Sequence, residues 1–566
     1  MSRRDSPAIT PPARAIRGAL GAMAIALAAL IAAPSAGADA PDPAISQDQP
    51  ARLRKLQELL TALELYQGPI DGLPSPALSA ALLQFLQSAR LPTDTAPNDA
   101  LIEQLEASVR LLRLTRFLAT LGREQSEQAR LALLGQPATR DLVAPTPGGA
   151  PTVPPPAAVF ACLRTLTAPC LIDAAVEASQ AIEESRLHDW ALSEIVKAQA
   201  RADADPAARA TIRQIRDARQ IIVSLRDVAT IQAERRAIDT ALATAQSIPE
   251  ALARIEAELA IAARQIDAGT RDGARSSLDL AEATIDQVPE PLQRVALRAR
   301  VASLCWRAGD ADGAAARLTA ARDAAAALTS AEARATGFGF VATALAEMGR
   351  PADAVQLITE RKIADDTPAA LTAAAGATAE AHDSAEAGRI AGLITEPRFR
   401  AVALVQVATV ETRQNAPDRA ADLLSEAGRT VRQIDEAGWR DYPLSRIAQA
   451  YIDLKRAVPA AESARAIGDA GMRARLLFVI AHMQAARGDA NALDTAAEAE
   501  RAAAQIASPL DECWTLTEVA RAFAGADDQN GARAMLQRAA EIAAAIQEPA
   551  SRARAFSRVA SVMLSL

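Results

Sequence analysis

The chain is poor in the residues from which enzymes build catalytic centres. It has 3 His and 4 Cys among 566 residues, and aromatic residues make up 3% of it. His188, His382 and His482 are far apart, and no Gly-x-Ser-x-Gly, His-Glu-x-x-His or phosphate-loop motif occurs. No Cys or His spacing matches a metal site. We therefore expect no catalytic residue, cofactor or metal, and predict that the protein is not an enzyme.

The charge balance disfavours nucleic acid as a partner. The chain carries a net charge of -8, and its first 38 residues contribute four Arg and one Asp, so the remainder carries about -11. An acidic surface with both signs interspersed binds polyanions poorly. Abundant alanine with few aromatic residues predicts helices that pack through small side chains.

The first 38 residues have the pattern of a signal peptide. Four Arg precede an apolar run at 19–33, and Ala36-Gly37-Ala38 offers small residues for cleavage after Ala38. The run is short for a membrane span, and Pro34 follows it. We expect export to the periplasm, no membrane span after cleavage, and a flexible lead at residues 39–51.

The four cysteines fall into two kinds. Cys162 and Cys170 flank a predicted helix end and could form a disulfide in an oxidising compartment. The sequence leaves open whether they pair or stay free. Cys305 and Cys513 lie in separate repeats and are expected to be small buried hydrophobic residues.

Residues 52–107 predict three helices. The first stops at Gly68-Pro69, the second covers 76–90, and a third opens at Asp99. Between the first two lies Tyr66-Gln67-Gly68-Pro69-Ile70-Asp71-Gly72, a turn with two glycines in which the Asp can accept bonds from backbone N–H groups.

This arrangement resembles the three-helix peptidoglycan-binding module of cell-wall hydrolases and envelope proteins. The resemblance covers about 52–107, is strongest at the Tyr66 to Gly72 turn, and has support at 81–87, where an apolar run ends in Phe-Gln. It implies a shallow wall-binding pocket near this turn, with Tyr66, Asp71 and Phe85 as candidate contacts. Each also has a structural interpretation: a partly buried helix end, a turn former and a core residue. A helical extension at 108–134 and a Pro/Gly-rich linker at 135–158 follow.

From 159 to 566 the chain repeats a pattern of small residues. An anchor alanine recurs at gaps of 33 or 39 to 40, a turn or C-cap residue follows seven positions later, and a small residue follows after twelve. The anchors are Ala229, Ala262, Ala302, Ala342, Ala375, Ala408, Ala448, Ala481, Ala520 and Ala560, with a weaker copy at Val196. The residues after twelve positions are Ala241, Ala274, Ala314, Ala354, Ala387, Ala420, Ala460, Leu493 and Ala532.

This ladder is similar to the tetratricopeptide pattern, although its repeats are longer and lack that family's Trp and Tyr positions. We predict an all-α protein: a small three-helix bundle followed by a long right-handed α-solenoid of helical hairpins. One face of residues 552–566 carries Arg554, Ser557 and Arg558 and predicts a solvated cap at the end of the array.

The resemblance implies that stacked first helices present a groove for a protein partner. The groove-facing positions are expected six and three residues before each anchor alanine and one, four and five residues after it. These positions select Trp190, Trp306, Arg307, Thr343, Arg413, Gln449, Phe478, His482, Trp514 and Arg521. Exposed tryptophans are natural anchors for a partner, but large residues can also fill gaps between alanine-rich helices.

Together these features predict a non-enzymatic cell-envelope protein that binds peptidoglycan through its N-terminal module and an unidentified envelope protein through its solenoid. The alternative is an accessory or scaffold factor for a wall hydrolase or secretion machine, whose module docks protein rather than glycan. A hydrolase that uses solenoid carboxylates is a third, weaker hypothesis.

Overall fold

The computed structural model describes residues 49–89, 91–92, 98–143 and 162–566. They belong to two compact units, Met1–Gln125 and Ser126–Leu566, and the described regular structure is helical in both. None of the described helices is long and apolar enough to cross a membrane. The predicted signal peptide, and the part of the predicted linker from residue 144 onward, lie outside the described residues.

The first unit contains the predicted three helices. They are α1 (Gln49–Ala62), α2 (Pro76–Ser88) and the first part of α3 (Asp99–Gly135). Ser75 caps α2 by accepting a bond from the Leu78 N–H at 3.1 Å. The core is made of residues that recur at helical spacing on all three helices, among them Leu60, Phe85 and Leu105.

The boundary between the units lies inside α3 and differs from the predicted ends of the module and of its extension. Residues 126–143 belong to the second unit: Ser126 donates to Asp217 at 2.9 Å, and Leu133 is buried in that unit's core. After α3, the short helix α4 (Arg140–Val143) places Asp141 2.6 Å from Arg209. The stretch up to residue 143 is therefore folded, although the sequence predicts a linker from 135.

The rest of the second unit is built from antiparallel helical hairpins. A single helix, α5 (Ala168–Gln180), comes first. The hairpins follow as α6 (Ser185–Arg201) with α7 (Asp205–Ile212), α8 (Ala218–Glu234) with α9 (Ile238–Ser247), α10 (Ala251–Asp267) with α11 (Arg271–Glu282), α12 (Pro291–Arg307) with α13 (Ala311–Ala326), α14 (Ala331–Glu347) with α15 (Pro351–Arg361), α16 (Pro368–Glu380) with α17 (Ser384–Gly392), α18 (Pro397–Arg413) with α19 (Pro417–Val431), α20 (Asp441–Asp453) with α21 (Ala457–Arg465), α22 (Ala470–Ala485) with α23 (Ala492–Ala503), and α24 (Pro509–Gly525) with α25 (Gln529–Ala545). The last helix is α26 (Pro549–Met563).

The ladder of small residues is confirmed. Every anchor lies on a first helix and is buried. Seven positions later the backbone enters the left-handed region, with φ from 57° to 79°. The residues concerned are Arg236, Gly269, Gly309, Gly349, His382, Asn415, Lys455, Gly488 and Asp527, with Asp203 after the weaker copy at Val196. At the central turn, the N–H groups of Gly309 and Asp310 bond back to the carbonyls of Trp306 and Cys305, both at 2.9 Å, which caps the helix.

Leu493 is the exception to the predicted register. Its side chain is 83% exposed, whereas the equivalent alanines are buried. The connection after Gly488 is two residues longer than the connection after Gly309, so α23 begins at Ala492. Thr495 consequently takes the buried position that the sequence pattern assigns to Leu493.

The two ends of the hairpin array pack against each other. Helix α26 forms a hairpin-like pair with α5 and also packs against α6, so the array of the second unit closes into a ring. The prediction of a solvated cap at 552–566 is therefore wrong: Arg554, Ser557 and Phe556 are buried in the closure. The polar face that was assigned to solvent instead meets the first hairpin.

The first helices form the inner layer of the ring. Consecutive first helices pack on one another all around it, whereas the described second helices pack on first helices and not closely on one another. Since the inner layer of a closed ring has the shorter circumference, the layer with close lateral packing lies inside. Exposed side chains on the first helices therefore face the opening of the ring.

Candidate functional site

The three candidate peptidoglycan contacts maintain the fold of the module. Tyr66 is buried and its hydroxyl donates to the Pro69 carbonyl at 3.0 Å, while Phe85 lies in the core. Asp71 accepts bonds from the Leu73 N–H and from Gln57 Nε2, each at 2.9 Å. These bonds, the one from Leu73 first, lower the pKa of Asp71. Tyr66 and Phe85 thus have no free surface for a ligand.

Gln57 is the residue that locks the turn, and the sequence pattern did not indicate it. Its buried amide donates to Asp71 and to the Leu73 carbonyl, and its oxygen accepts from the Gly72 N–H at 2.8 Å. Gly72 has φ 77°, and a Cβ there would lie 2.5 Å from the Pro50 carbonyl oxygen. The glycine-rich motif therefore encodes a close approach of the turn to α1. The apolar side chains exposed beside it are Ile70 and Leu73.

One repeat position runs around the inner layer of the ring. It lies six residues before the anchor, the position at which Trp190 and Trp514 were predicted to meet a partner. We call this set the inner row. In ring order its residues are Trp190, Val223, Glu256, Ala296, Thr336, Ala369, Val402, Tyr442, Arg475, Trp514 and Arg554. Large aromatic and basic residues occupy the arc from Tyr442 through Arg554 to Trp190, and smaller residues occupy most of the rest.

An aromatic pocket of about 850 Å³ opens on the inner row at Thr336, Ala369, Val402 and Tyr442. Four aromatic side chains line it: Phe340 from α14, Phe399 from α18, Trp439 from the 3₁₀ turn at Ala437–Trp439, and Tyr442 from α20. Trp439 and Tyr442 are 50% and 57% exposed. In a chain with so few aromatic residues, such a cluster of exposed rings is a candidate binding site.

The charged and polar groups of the aromatic pocket are largely matched within the protein. Arg398 stacks between Phe399 and Trp439, with its guanidinium carbon 4.5 Å from each ring centre, and forms an ion pair with Glu396. The hydroxyls of Thr336 and Thr343 donate to carbonyls one turn earlier in α14, at 3.1 and 3.0 Å. Asp366, an exposed residue, adds one carboxylate to the lining. The pocket therefore offers a ligand mainly aromatic surface, with hydroxyl acceptors and this one carboxylate, which suits an apolar or aromatic group.

Ring closure brings Trp190 and Trp514 together. The Arg554 guanidinium carbon lies 3.4 Å from the Trp190 ring centre and 5.2 Å from that of Trp514. Arg554 is 8% exposed, and burial lowers its pKa. Beside it, Arg558 forms an ion pair with Glu518. We call these five residues the seam cluster. They flank a second pocket of about 540 Å³, which Arg475, Trp514, Glu518 and Arg558 line.

The other predicted groove residues do not converge on one site. Trp306 is exposed on α12, and its neighbour Arg307 pairs with Asp267 of the preceding first helix at 3.0 Å. Arg413 pairs in the same way with Glu380. Gln449 and Arg521 have contacts within their own helices, and His482 of α22 contacts the next first helix, α24. Gln449 donates to Asp453 at 3.0 Å, the His482 ring stacks on Phe523 with centres 4.4 Å apart, and Arg521 lies 3.1 Å from Glu518. Phe478 is buried, and Thr343 lines the aromatic pocket.

The cysteines lie where their surroundings make them structural. Cys162 and Cys170 are paired in a disulfide, with Cα atoms 5.7 Å apart, beside and within the start of α5. Cys305 and Cys513 are buried, and burial raises the pKa of their thiols to about 11 and about 12. Neither thiol has the thiolate character that a nucleophile needs.

Sequence reasoning missed most of the aromatic pocket. Tyr442 was within reach, because it shares the repeat position of Trp190 and Trp514. Phe399 and Trp439 occupy the position nine before the anchor, one helical turn from the inner row, and so line the same surface. Their convergence depends on the angle between successive hairpins, which a sequence pattern does not specify.

No family model matches the chain, and no curated protein matches it. Several solved structures show a likeness, among them the following three. Ton1535 from Thermococcus onnurineus NA1 is 16% identical with a TM-score of 0.27, over 58% of this chain and 98% of the other. A signal transduction ATPase with numerous domains and a tetratricopeptide repeat sensor, from Pyrococcus horikoshii, is 10% identical with a TM-score of 0.22, over 65% and 66%. A circular tandem repeat protein is 13% identical with a TM-score of 0.16, over 80% and 98%. At such scores the all-α class and the ring rest on the helix packing itself.

Proposed function

We propose that this protein is a non-enzymatic, exported cell-envelope protein whose ring binds an extended segment of a protein partner. The aromatic pocket carries this proposal. Its four rings come from three first helices and one turn, face the ring opening, and surround a space large enough for several side chains. The anchor of the partner is an apolar or aromatic side chain, since the one arginine in the pocket is already paired with Glu396.

Site-specific photo-crosslinking in intact cells tests the binding surface. A photoreactive residue replaces Tyr442 in the aromatic pocket, and a matched chain carries it at Trp306, which is exposed on another first helix. We expect a discrete protein adduct from position 442 and none of the same mass from position 306. Equal labelling from both positions, or none from position 442, would reject the pocket as the partner site.

For the N-terminal module we propose peptidoglycan binding, which rests on the resemblance at Tyr66 to Gly72. The alternative, docking of a protein, is favoured by the exposed apolar side chains of Ile70 and Leu73 on the same turn. A variant of Tyr66 or Phe85 would disturb the core, so the test uses the surface. The probe is retention of the chain from residue 39 on purified, protein-free wall sacculi.

Three proteins are compared: the native chain, a turn variant with Ile70→Ser and Leu73→Ser, and a control variant with Leu493→Ser on the ring. Peptidoglycan binding at the turn predicts that the native chain and the control are retained and that the turn variant is not. Absence of retention for all three chains would exclude the glycan and leave the accessory or scaffold role with a protein-docking module.

A further inference from the structure

Helix α3 carries an apolar stripe that the first unit leaves uncovered. Leu114, Phe117, Leu118 and Leu121 are 52%, 64%, 54% and 37% exposed. Their spacing of three, four and seven residues places them on one side of the helix, and we call them the apolar stripe. Among residues 113–125, leaving aside Ala119, no side chain is buried, so this part of α3 does not help to build the module's core.

The stripe lies opposite the side of α3 that faces the core. Leu101, Leu105, Val109 and Leu112 are buried against α1 and α2. At 100° per residue these four cluster on one side of the helix and the apolar stripe centres on the other. The helix therefore has two apolar sides, of which the three-helix core satisfies one. An exposed row of one Phe and three Leu is unfavourable in water and indicates a binding surface.

The charge around the stripe is opposite to that of the whole chain. Residues 107–123 contain four Arg and no Asp or Glu, in a protein with net charge -8. Arg110 is largely exposed and 3.9 Å from Glu106, while Arg113 is exposed and has no ion pair among the described residues. Arg116 pairs with Glu64 at 2.6 Å, and Arg123 donates to Thr120 at 3.1 Å. Arg113 thus leaves unpaired positive charge beside the stripe, and Arg110, one turn before Leu114, has only the 3.9 Å contact with Glu106.

We propose that the apolar stripe docks on the surface of an anionic lipid bilayer. Leu114, Phe117 and Leu118 enter the boundary between headgroups and acyl chains, and Arg110 and Arg113 reach the lipid phosphates. A basic segment with one apolar side is typical of helices that lie on membranes. Such peripheral binding requires no membrane-spanning helix.

Vesicle binding tests the proposal with the chain from residue 39 to 566. The vesicles contain phosphatidylcholine alone or an equal mixture with phosphatidylglycerol, and bound protein is measured by flotation. We expect binding to the anionic vesicles that is roughly tenfold tighter than to neutral ones and that weakens as salt rises from about 0.05 M to about 0.5 M. Leu114→Gln with Leu118→Gln should weaken anionic binding at least about tenfold.

The matched control is Leu131→Gln. Leu131 lies on the same helix and is 66% exposed, but it is outside the basic segment, so binding should stay within about twofold of the native chain. A second variant, Arg110→Gln with Arg113→Gln, should reduce binding to anionic vesicles and leave binding to neutral ones unchanged. Circular dichroism verifies that each variant keeps its helix content.

Three results would overturn the proposal. One is equal binding by the native chain and the Leu114→Gln, Leu118→Gln variant. Another is equal binding to neutral and anionic vesicles. The third is a native dimer that this variant converts to a monomer, which would assign the stripe to a second copy of the chain. None of these results bears on the aromatic pocket or on sacculus binding, so the function proposed above is tested separately.

Discussion

At the scale of single residues, the turns of the ring impose one backbone requirement on several residue types. The position seven after the anchor has positive φ whether it is Gly, His, Asn, Lys, Arg or Asp. This conformation directs two N–H groups back to the last carbonyls of the first helix. A side chain in that region costs roughly 1 to 2 kcal/mol. The non-glycine turns therefore carry strain that helix capping and hairpin packing offset.

The turn at Gly309 provides a test, because the same substitution at a control glycine is expected to change stability in the opposite direction. A Cβ at Gly309 would lie 3.7 Å from the Arg271 side chain, an ordinary contact, so Gly309→Ala should lose about 1 to 2 kcal/mol through the backbone alone. Gly428 lies inside α19 with nothing near its missing Cβ, and Gly428→Ala should gain about 0.5 to 1 kcal/mol. Urea unfolding measures both. A loss at Gly428 as large as at Gly309 would contradict this account.

Glu258 should make the stability of the ring depend on pH. It is buried in α10, and burial raises its pKa from 4.5 to about 7, with Arg254 opposing the effect. Because the folded state holds this proton more tightly than the unfolded state, stability falls as pH rises from about 4.5 to about 7. At about 1.4 kcal/mol per pH unit, the loss is on the order of 3 kcal/mol.

Glu258→Gln removes this titration. The native chain should lose stability from pH 5 to pH 8, whereas the variant should not lose it at this position. The free energy of unfolding of the variant minus that of the native chain should therefore increase over this range, by up to the order of 3 kcal/mol. Urea midpoints at both pH values measure the difference. A difference between the two proteins that is the same at pH 5 and pH 8 would show that Glu258 is ionised in the fold at both.

At the scale of elements, the last helix decides between an open array and a ring. Helix α26 carries the anchor Ala560 like every first helix, but its partner, α5, comes from the other end of the unit. It therefore behaves as the first helix of one more hairpin. Its buried Phe556 packs in the same core as the start of the array.

Phe556→Ala should lower the free energy of unfolding by about 3 to 5 kcal/mol, since it empties a fully packed site in the closure. Phe117→Ala, at an exposed position of α3, is the control and should change it by less than about 0.5 kcal/mol. Chemical denaturation followed by circular dichroism compares the two. If α26 were a solvated cap, Phe556→Ala would cost no more than the control.

At the scale of the whole ring unit, closure removes the exposed ends that an open array must cap. The two ends of the ring meet at the α26–α5 pair, and beside it the Gln537 amide of α25 donates to the Leu163 carbonyl, which precedes α5, at 3.0 Å. A first helix and a second helix meet there as they do in every other hairpin. The position of the break in the chain is therefore arbitrary with respect to packing.

A circular permutant tests this equivalence. Leu566 is joined to Thr165 by a short Gly/Ser linker, and the chain is opened in the loop between α13 and α14. Residues 1–164 are left out of both the permutant and its unpermuted control, so both lack Leu133, the Leu163 contact and the Cys162–Cys170 disulfide. We expect the same helix content and a melting temperature within about 5 °C of the control, because every helix pair is retained. A permutant that loses helix content or melts far lower would show that the ends do not form a true hairpin.

The sequence by itself determined the repeated hairpin. Ala302, Gly309 and Ala314 are close along the chain, so their spacing reports helix, turn and helix directly, and the equivalent turns have the same left-handed backbone whether or not the residue is glycine. The three-helix module was likewise visible from its periodic leucines. The register failed at Leu493, where a longer connection shifts the next helix, because loop length is a weaker signal than periodicity.

Tertiary structure alone decided the ring and its sites. The angle at which one hairpin packs on the next sets the curvature, and small angular differences accumulate over the array until the two ends meet. That sum brings Arg554 between Trp190 and Trp514, gathers four aromatic rings into one pocket, and buries a face that periodicity assigns to solvent. In the module, similarly, Gln57 reaches Asp71 only once α1 and the turn have packed together. Contacts between residues distant in sequence depend on such packing geometry, which local patterns of residue type do not encode.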